Sequence, residues 1–142
     1  MDLFPLFHAL RDRPVLVVGG GHVAAPKIRL LLRAGAALTI ASPRLGSEIA
    51  ELAAAGRLRW VQRGFVGGDV LGQDLVFAAT GIDQVDCRVA EAARQNRVPV
   101  NAVDRPGLST FMVPAMVDRD GITVAISTGG AAPLLARRVR EA

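Results

Sequence analysis

The 142-residue sequence is poor in cysteine, since Cys87 is the only one. A single thiol excludes an internal disulfide, a cysteine-based zinc site and an iron–sulfur cluster within one chain. Apolar runs of the roughly 18 residues that a membrane span needs are also missing. The N-terminus carries an acid, Asp2, where a signal peptide would be positively charged. We therefore expect a soluble, cytoplasmic protein without a membrane partner.

Aromatic residues and lysine are scarce as well. Aromatics make up 4% of the chain and no arginine run is interleaved with them, so nucleic acid is a poorly supported partner. Of 17 basic residues all but Lys27 are arginines, and the net charge is +4. Codon bias is the simplest explanation. Arginine forks also suit phosphates and carboxylates, which leaves an anionic small molecule open.

Short β-branched and aliphatic runs alternate with helical patterns over the first hundred residues. The predicted strands are 15–18, 37–41, 58–61, 74–79 and 98–103, and the predicted helices are 23–34, 47–56 and 83–95, with Ser47 as the N-cap of the second helix. This rhythm predicts an α/β, doubly wound parallel sheet. Right-handed crossovers then place the strand ends at Gly19, Ala41, Ala79 and Val103 along one edge, where such folds bind ligands.

The pattern changes after Pro106. Two strand-like runs, 111–117 and 122–127, flank the turn signal 118–121, and Gly129-Gly130 precedes a predicted helix over 132–140. A hairpin and one helix are too small to form a core of their own. We therefore divide the chain into an α/β domain of the Rossmann type, 1–107, and a segment, 108–142, that packs on it or on a second chain.

A glycine-rich turn joins the first strand to the first helix. Residues 19–24, Gly-Gly-Gly-His-Val-Ala, fit the pattern G-x-G-x-x-A in the strand–turn–helix context that a dinucleotide needs. In this interpretation Gly19 makes the tight turn, Gly21 lets the backbone approach a pyrophosphate, and Ala24 allows close helix–strand packing. His22 and Val23 lie beside the pyrophosphate position. The alternative is a purely structural glycine turn.

The acid that usually follows the second strand of an NAD site is absent. The stretch here is Ala41-Ser42-Pro43-Arg44. Arg44 suits the 2′-phosphate of NADP, whereas Ser42 and Pro43 can hold the ribose of NAD through their backbone groups. The residues alone leave this choice open.

Three stretches, 5–32, 75–106 and 109–141, resemble the N-terminal domain of siroheme synthases and the stand-alone precorrin-2 dehydrogenases. The resemblance covers essentially the whole chain and includes the motifs at 101–104, 111–115 and 127–130. It implies NAD-dependent oxidation of the tetrapyrrole precorrin-2 to sirohydrochlorin, in some members ferrochelation to siroheme, and a homodimer formed through the segment after about Leu108. The resemblance also implies a helical C-terminal subdomain that this sequence does not contain, so we expect either a piece of a longer enzyme or a short gene.

The resemblance also implies roles for individual residues. Asp104 matches the key acid of the family, and a carboxylate beside the macrocycle can act as general base in a dehydrogenation. The alternative is that Asp104 caps a turn. Asn101, on the same strand end, is the next catalytic candidate, and Thr80 matches a small polar residue near the nicotinamide. Thr128 stands where the family often has a second serine.

Two other functions remain open in the sequence. An NAD-binding regulatory module would lack catalysis, and a chelatase would work without NAD. The histidines, His8 and His22, are not at metal-ligand spacing, so no protein-built metal site is expected. A polycarboxylate substrate would find counter-charges in several arginines, namely Arg105, Arg119, Arg137 and Arg138.

Overall fold

The computed structural model describes residues 1–128, 137, 138, 140 and 141 of the chain. They fall into two compact units. The sheet unit is His8–Phe111, and the hairpin unit combines Met1–Phe7 with Met112–Ala142. Residues 108–111, which the sequence division places in the second segment, thus belong to the sheet unit.

The sheet unit is built on five parallel strands in the order β3-β2-β1-β4-β5. The strands are β1 Pro14–Val18, β2 Ala37–Ala41, β3 Arg59–Val61, β4 Leu75–Ala78 and β5 Val100–Ala102, and the helices are α1 Ala25–Arg33, α2 Ser47–Ala54 and α3 Asp83–Gln95. The chain winds outwards from β1 to β3 and then returns to β4 on the other side of β1. This topology confirms the predicted Rossmann-type, doubly wound sheet.

Helix α1 shows how local sequence sets the element bounds. Pro26 lies in its first turn, where the missing N–H has no helical partner to lose. Ile28 and Leu31 are buried on one face, whereas Arg29 points outwards and pairs with Glu48 at 2.8 Å. The helix then ends before a glycine in the left-handed conformation, Gly35 at φ +76°.

Helix α2 begins differently from the prediction. Ser47 is not the N-cap; it is the first helical residue, and Gly46 takes the cap position without any side-chain cap hydrogen bond. The reason is a tertiary contact, because the Gly46 amide donates to the carbonyl of Gly20 at 2.7 Å. That hydrogen bond fixes where the chain enters α2, so Ser47 lies one residue inside the helix and its hydroxyl does not cap it.

The core lies along the two central strands. Every residue of β4 is buried, and β1 is buried from Val15 to Val18. Such continuous apolar runs, rather than alternating ones, are typical of parallel strands that are covered on both faces. Helices α1 and α3 contribute Ile28, Val89 and Ala93 to the buried set.

The outer edge of β5 is covered by the segment that follows it. The Val100 amide donates to Thr110 Oγ1 at 2.8 Å, the Ala102 amide donates to Ser109 Oγ at 2.9 Å, and the Thr110 amide returns a bond to the Val100 carbonyl at 2.7 Å. Two hydroxyl side chains thereby replace a neighbouring strand. An edge covered in this way is protected against pairing with another chain.

The hairpin unit contains antiparallel strands β6 (Ala115–Arg119) and β7 (Ile122–Ile126). The predicted first strand, 111–117, was wrong at its start, because Phe111 belongs to the sheet unit: its carbonyl accepts from Asn101 Nδ2 at 3.0 Å and its ring packs edge-on against Phe77. Gly129-Gly130 and most of the predicted helix 132–140 lie outside the described residues. In the part of the chain that the structure describes, no helix combines the length and apolar character of a membrane span.

Candidate functional site

The carboxyl ends of the strands meet at one edge of the sheet, as predicted. The Gly19 amide donates to the Ala41 carbonyl at 3.0 Å, the Ala79 amide to Val18 at 2.8 Å, and the Val103 amide to Ala78 at 3.0 Å. A cavity of about 300 Å³ opens there. All seven residues predicted for the cofactor line it: Gly19, Gly21, His22, Val23, Ser42, Pro43 and Thr80.

The three glycines of the turn are needed for different reasons. A Cβ on Gly19, at φ +120°, would lie 2.2 Å from the carbonyl oxygen of Ala79. A Cβ on Gly20 would lie 2.6 Å from the carbonyl oxygen of Arg44, so the middle glycine, which the motif treats as variable, is also fixed by packing. Around Gly21 no atom of the described residues, apart from its own chain neighbours, lies within 4 Å of a built Cβ. The described residues leave that side of the turn open, so a ligand can come close to the backbone there.

The turn also presents free hydrogen-bond donors. Within the described residues, the N–H groups of Gly21, His22 and Val23 have no hydrogen-bond partner. They precede α1, whose N-terminus carries partial positive charge. Unpaired amides at an open glycine are the groups that bind a pyrophosphate. The residues present therefore fit the phosphate part of a dinucleotide.

Ser42 is buried and its polar groups are already used by the protein. Its hydroxyl donates to the Arg44 carbonyl at 2.6 Å, its amide to Val61, and its carbonyl accepts from the indole N–H of Trp60 at 2.8 Å. These bonds shape the loop after β2. Pro43 is exposed at the cavity and Arg44 is exposed beside it.

The loop after β3 supplies lining residues that the sequence analysis missed. Gly64 and Phe65 line the cavity. Their loop is held by Arg63, which binds both carboxylate oxygens of Asp69 at 2.7 and 2.8 Å. The bond from Arg63 is the largest cause that holds the pKa of Asp69 below its ordinary value, and burial of the carboxyl opposes it. The Arg63–Asp69 spacing of six residues gives no periodic signal from which this clamp could be predicted.

Thr80 follows β4 and is held by a second missed residue, Asp86. The Thr80 hydroxyl donates to Asp86 Oδ1 at 2.7 Å, and the Thr80 amide donates to the same oxygen at 3.2 Å. Asp86 is only 4% exposed and lies in the first turn of α3. An acid at that helical position also gains from the positive end of the helix.

Asp104 lies beyond the end of β5 and does not line the cavity. It is exposed and has a left-handed backbone, at φ +60°. The half-buried ammonium group of Lys27, in the first turn of α1, interacts with the Asp104 carboxylate through its charge. Burial lowers the pKa of Lys27, and the negative charge of Asp104 acts in the opposite direction. The one lysine of the chain and the predicted catalytic acid thus interact at the same edge of the sheet.

Asn101, the other catalytic candidate, has a different environment. It is the middle residue of β5, it is 7% exposed, and its amide nitrogen donates to the Phe111 carbonyl. The side chain holds the segment that follows the strand and does not line the cavity.

Two of the four arginines suggested as substrate counter-charges are engaged within the protein. Arg105 pairs with Asp83 of α3, and Arg137 pairs with Glu141 at 3.0 Å. Among the residues that the structure describes, no group of three His, Cys, Asp or Glu side chains is placed to hold a metal ion.

A parallel Rossmann-type sheet, an open glycine turn and unpaired amides at a helix N-terminus define a dinucleotide-binding domain. The family described as putative NAD(P)-binding matches residues 6–115, and the family described as sirohaem biosynthesis protein central matches residues 119–142. The chain belongs to the siroheme synthase N-terminal and precorrin-2 dehydrogenase family, which confirms the resemblance seen in the sequence.

Individual relatives agree with this assignment. Siroheme synthase 3 of Aeromonas hydrophila subsp. hydrophila is 48% identical over 141 residues, and the siroheme synthase of Methylobacillus flagellatus is 46% identical over 140; each alignment covers 99% of this chain and 30% of the relative. A solved structure named SirC, precorrin-2 dehydrogenase, matches with a TM-score of 0.83 and 32% identity, over 98% of this chain and 68% of that one. The chain thus spans about three tenths of the length of these curated siroheme synthases.

Proposed function

We propose that this chain is the NAD-dependent precorrin-2 dehydrogenase part of a siroheme-forming enzyme, oxidising precorrin-2 to sirohydrochlorin. The observation that carries the proposal is the cavity at the glycine turn, which unites all seven predicted cofactor residues with unpaired amide donors. The names of its relatives, siroheme synthase and precorrin-2 dehydrogenase, supply the substrate class.

The reaction converts precorrin-2 and NAD⁺ to sirohydrochlorin, NADH and a proton. Bound NAD⁺ supplies the hydride acceptor. We assign the proton to Asp104, because its carboxylate is exposed at the cofactor edge of the sheet, where it interacts with the charge of Lys27. Asn101 supports this strand end from within, by holding the chain at Phe111.

We propose NAD⁺ rather than NADP⁺ as the cofactor. The family description covers both. No acid follows β2 to accept from the ribose, but Ser42 and its bonds to Arg44 and Trp60 build a compact loop whose exposed surface at the cavity is Pro43. Arg44, the residue suited to a 2′-phosphate, is exposed next to Pro43, and the comparison of NAD⁺ with NADP⁺ below tests this choice.

The test is NADH formation after precorrin-2, generated enzymatically, is added anaerobically with NAD⁺. We expect Asp104→Asn to lower the rate by about 100-fold or more, the usual scale of a lost general base. Asp12→Asn is the matched control, because Asp12 is also an exposed aspartate with a left-handed backbone, at φ +61°, but precedes β1. The Asp12→Asn variant should keep the full rate. With NADP⁺ in place of NAD⁺, the native chain and Asp12→Asn should both react more slowly.

A rate unaffected by Asp104→Asn would remove Asp104 from the chemistry. Binding of NAD⁺ without any NADH formation would favour the regulatory module instead. Ferrochelation, which the resemblance implies for some members, stays a prediction; the discriminating result would be metal-dependent siroheme formation from sirohydrochlorin without NAD⁺.

We further propose that the active form is a cytoplasmic homodimer joined through the segment after Leu108. Strand β7 supports this, because Ile122 and Val124 are 67% and 47% exposed on one face, and an isolated two-stranded hairpin is marginally stable in water. Light scattering should give the mass of a dimer for the native chain and of a monomer for Val124→Lys. Thr123→Lys, on the opposite face of β7, should remain dimeric. A native monomer would exclude this interface.

A further inference from the structure

The pair Asp86–Thr80 has a feature that the binding of a dinucleotide alone does not require. Asp86 is 4% exposed, lies behind Thr80 and does not line the cavity. No lysine, arginine or histidine forms a salt bridge with it within the described part of the chain. Its Oδ1 instead accepts two hydrogen bonds from one residue, the hydroxyl and the amide of Thr80. In the described part of the chain, the hydrogen bonds of this buried carboxylate therefore act on Thr80 alone.

The hydrogen bonds of the Thr80 hydroxyl determine whether it can donate to a ligand or accept from one. A hydroxyl has one hydrogen and two lone pairs. The hydrogen is directed to Asp86 at 2.7 Å rather than to the more distant Ile82 carbonyl at 3.4 Å, and one lone pair accepts from the Ile82 amide at 3.0 Å. The group that remains is the second lone pair, and Thr80 lines the cavity. Thr80 therefore meets a ligand as an acceptor.

We propose that Asp86 is a positioning residue for the cofactor: it fixes the Thr80 hydroxyl so that Thr80 accepts a hydrogen bond from a hydroxyl or amide N–H of the bound dinucleotide. The inference rests on the proposed binding of NAD⁺. Without Asp86 the nearest remaining acceptor is the Ile82 carbonyl at 3.4 Å, so the hydroxyl is held less firmly and can also turn its hydrogen towards the cavity. When the Thr80 hydrogen points into the cavity, it opposes the hydroxyl or N–H donor of the dinucleotide. The hydrogen bond between Thr80 and the dinucleotide is then absent for part of the time.

The test is a double-mutant cycle on NAD⁺ affinity, measured by calorimetry with the full chain. Asp86→Ala and Thr80→Val should each weaken binding by about 3- to 10-fold, the scale of one hydrogen bond. If Asp86 acts through Thr80, adding Asp86→Ala to Thr80→Val should change affinity by less than about 2-fold. Asp86→Asn keeps an acceptor oxygen and should restore most of the affinity.

Asp83→Ala is the matched control, because Asp83 lies in the same first turn of α3 but is exposed. It should leave NAD⁺ affinity within about 2-fold of the native value. A purely structural Asp86 would weaken binding equally whether Thr80 is present or replaced by valine, which overturns the proposal. So would an unchanged affinity of Thr80→Val, which can be measured even if Asp86→Ala does not fold. A native chain that does not bind NAD⁺ overturns both this inference and the proposed function, whereas normal native binding with additive variants overturns this inference alone.

Discussion

Strands β4 and β7 have similar apolar sequences but opposite environments. The first, Leu-Val-Phe-Ala, is buried at every position, whereas the second, Ile-Thr-Val-Ala-Ile, is exposed at its first four positions. The difference arises from connectivity. Strand β4 has β1 and β5 as neighbours, while β6 is the one strand that pairs with β7 among the described residues. Apolar composition therefore predicts a strand, but the burial of that strand depends on what else the chain provides to cover it.

The largest contrast between the two units is expected at glycines with positive φ. Gly19→Ala introduces both a strained backbone and a clash with the Ala79 carbonyl, and should destabilise the chain by about 3 kcal/mol or more. Gly121→Ala, in the hairpin turn at φ +78°, meets no atom of the described residues beyond its chain neighbours within 4 Å and should cost about 1 kcal/mol. Chemical denaturation measures both. Equal effects would mean that the contact at Ala79 is not the constraint.

A smaller contrast is expected for valine truncations. Val76→Ala removes buried methyl groups from β4 and should destabilise by about 2 kcal/mol. Val124→Ala, in β7, should stay within about 0.5 kcal/mol when measured on dilute protein. If the effect of Val124→Ala grows with protein concentration, a second chain covers β7. If it is large at every concentration, the exposed position of Val124 is contradicted.

The smallest expected effect is the pH dependence of stability, and it again differs between the units. The two carboxyls with lowered pKa values, Asp69 and Asp74, both lie in the sheet unit. A lowered pKa in the folded state stabilises the protein above the ordinary value of 3.8, and this stabilisation is lost as the pH falls through the folded pKa. Asp69→Asn should therefore lower the unfolding midpoint at pH 7, and the difference from the native chain should shrink below about pH 4.

Arg63→Gln provides the comparison for that experiment, since Arg63 is the first cause of the lowered pKa. It should remove most of the same pH-dependent difference, and the double variant should be little worse than either single one. Independent effects of the two substitutions would show that Asp69 is stabilised by something other than Arg63.

Much of the sheet unit was predictable, because continuous aliphatic runs and the glycine turn are local signals. The strand edge from Gly19 to Val103 and the turn residues that line the cavity, from Gly19 to Val23, follow from them, whereas Thr80 was predicted only from the resemblance to the family. The errors share a cause. Gly46 rather than Ser47 is the N-cap of α2, because the Gly46 amide donates to the Gly20 carbonyl. Phe111 is not part of the hairpin, because its carbonyl accepts a hydrogen bond from Asn101. Both contacts join residues distant in the sequence, and no local pattern predicts them.

The same limit applies to the site. The motif indicated where a pyrophosphate binds, but Asp86 looks in the sequence like an ordinary polar residue of a helix. Only the fold shows that it is buried behind Thr80. Likewise Gly64 and Phe65 reach the cavity because Arg63 and Asp69 close their loop. Lining residues held by tertiary bonds are invisible to periodicity.

The left-handed backbone of Asp104 has a consequence for how this chain can be improved. At φ +60° a glycine would be free of the steric conflict that a side chain meets, so Asp104→Gly relaxes the turn after β5. The same change removes the carboxylate to which we assign the proton. Selection for thermal stability alone would therefore favour loss of Asp104, and its retention in a stabilised library would report selection for turnover.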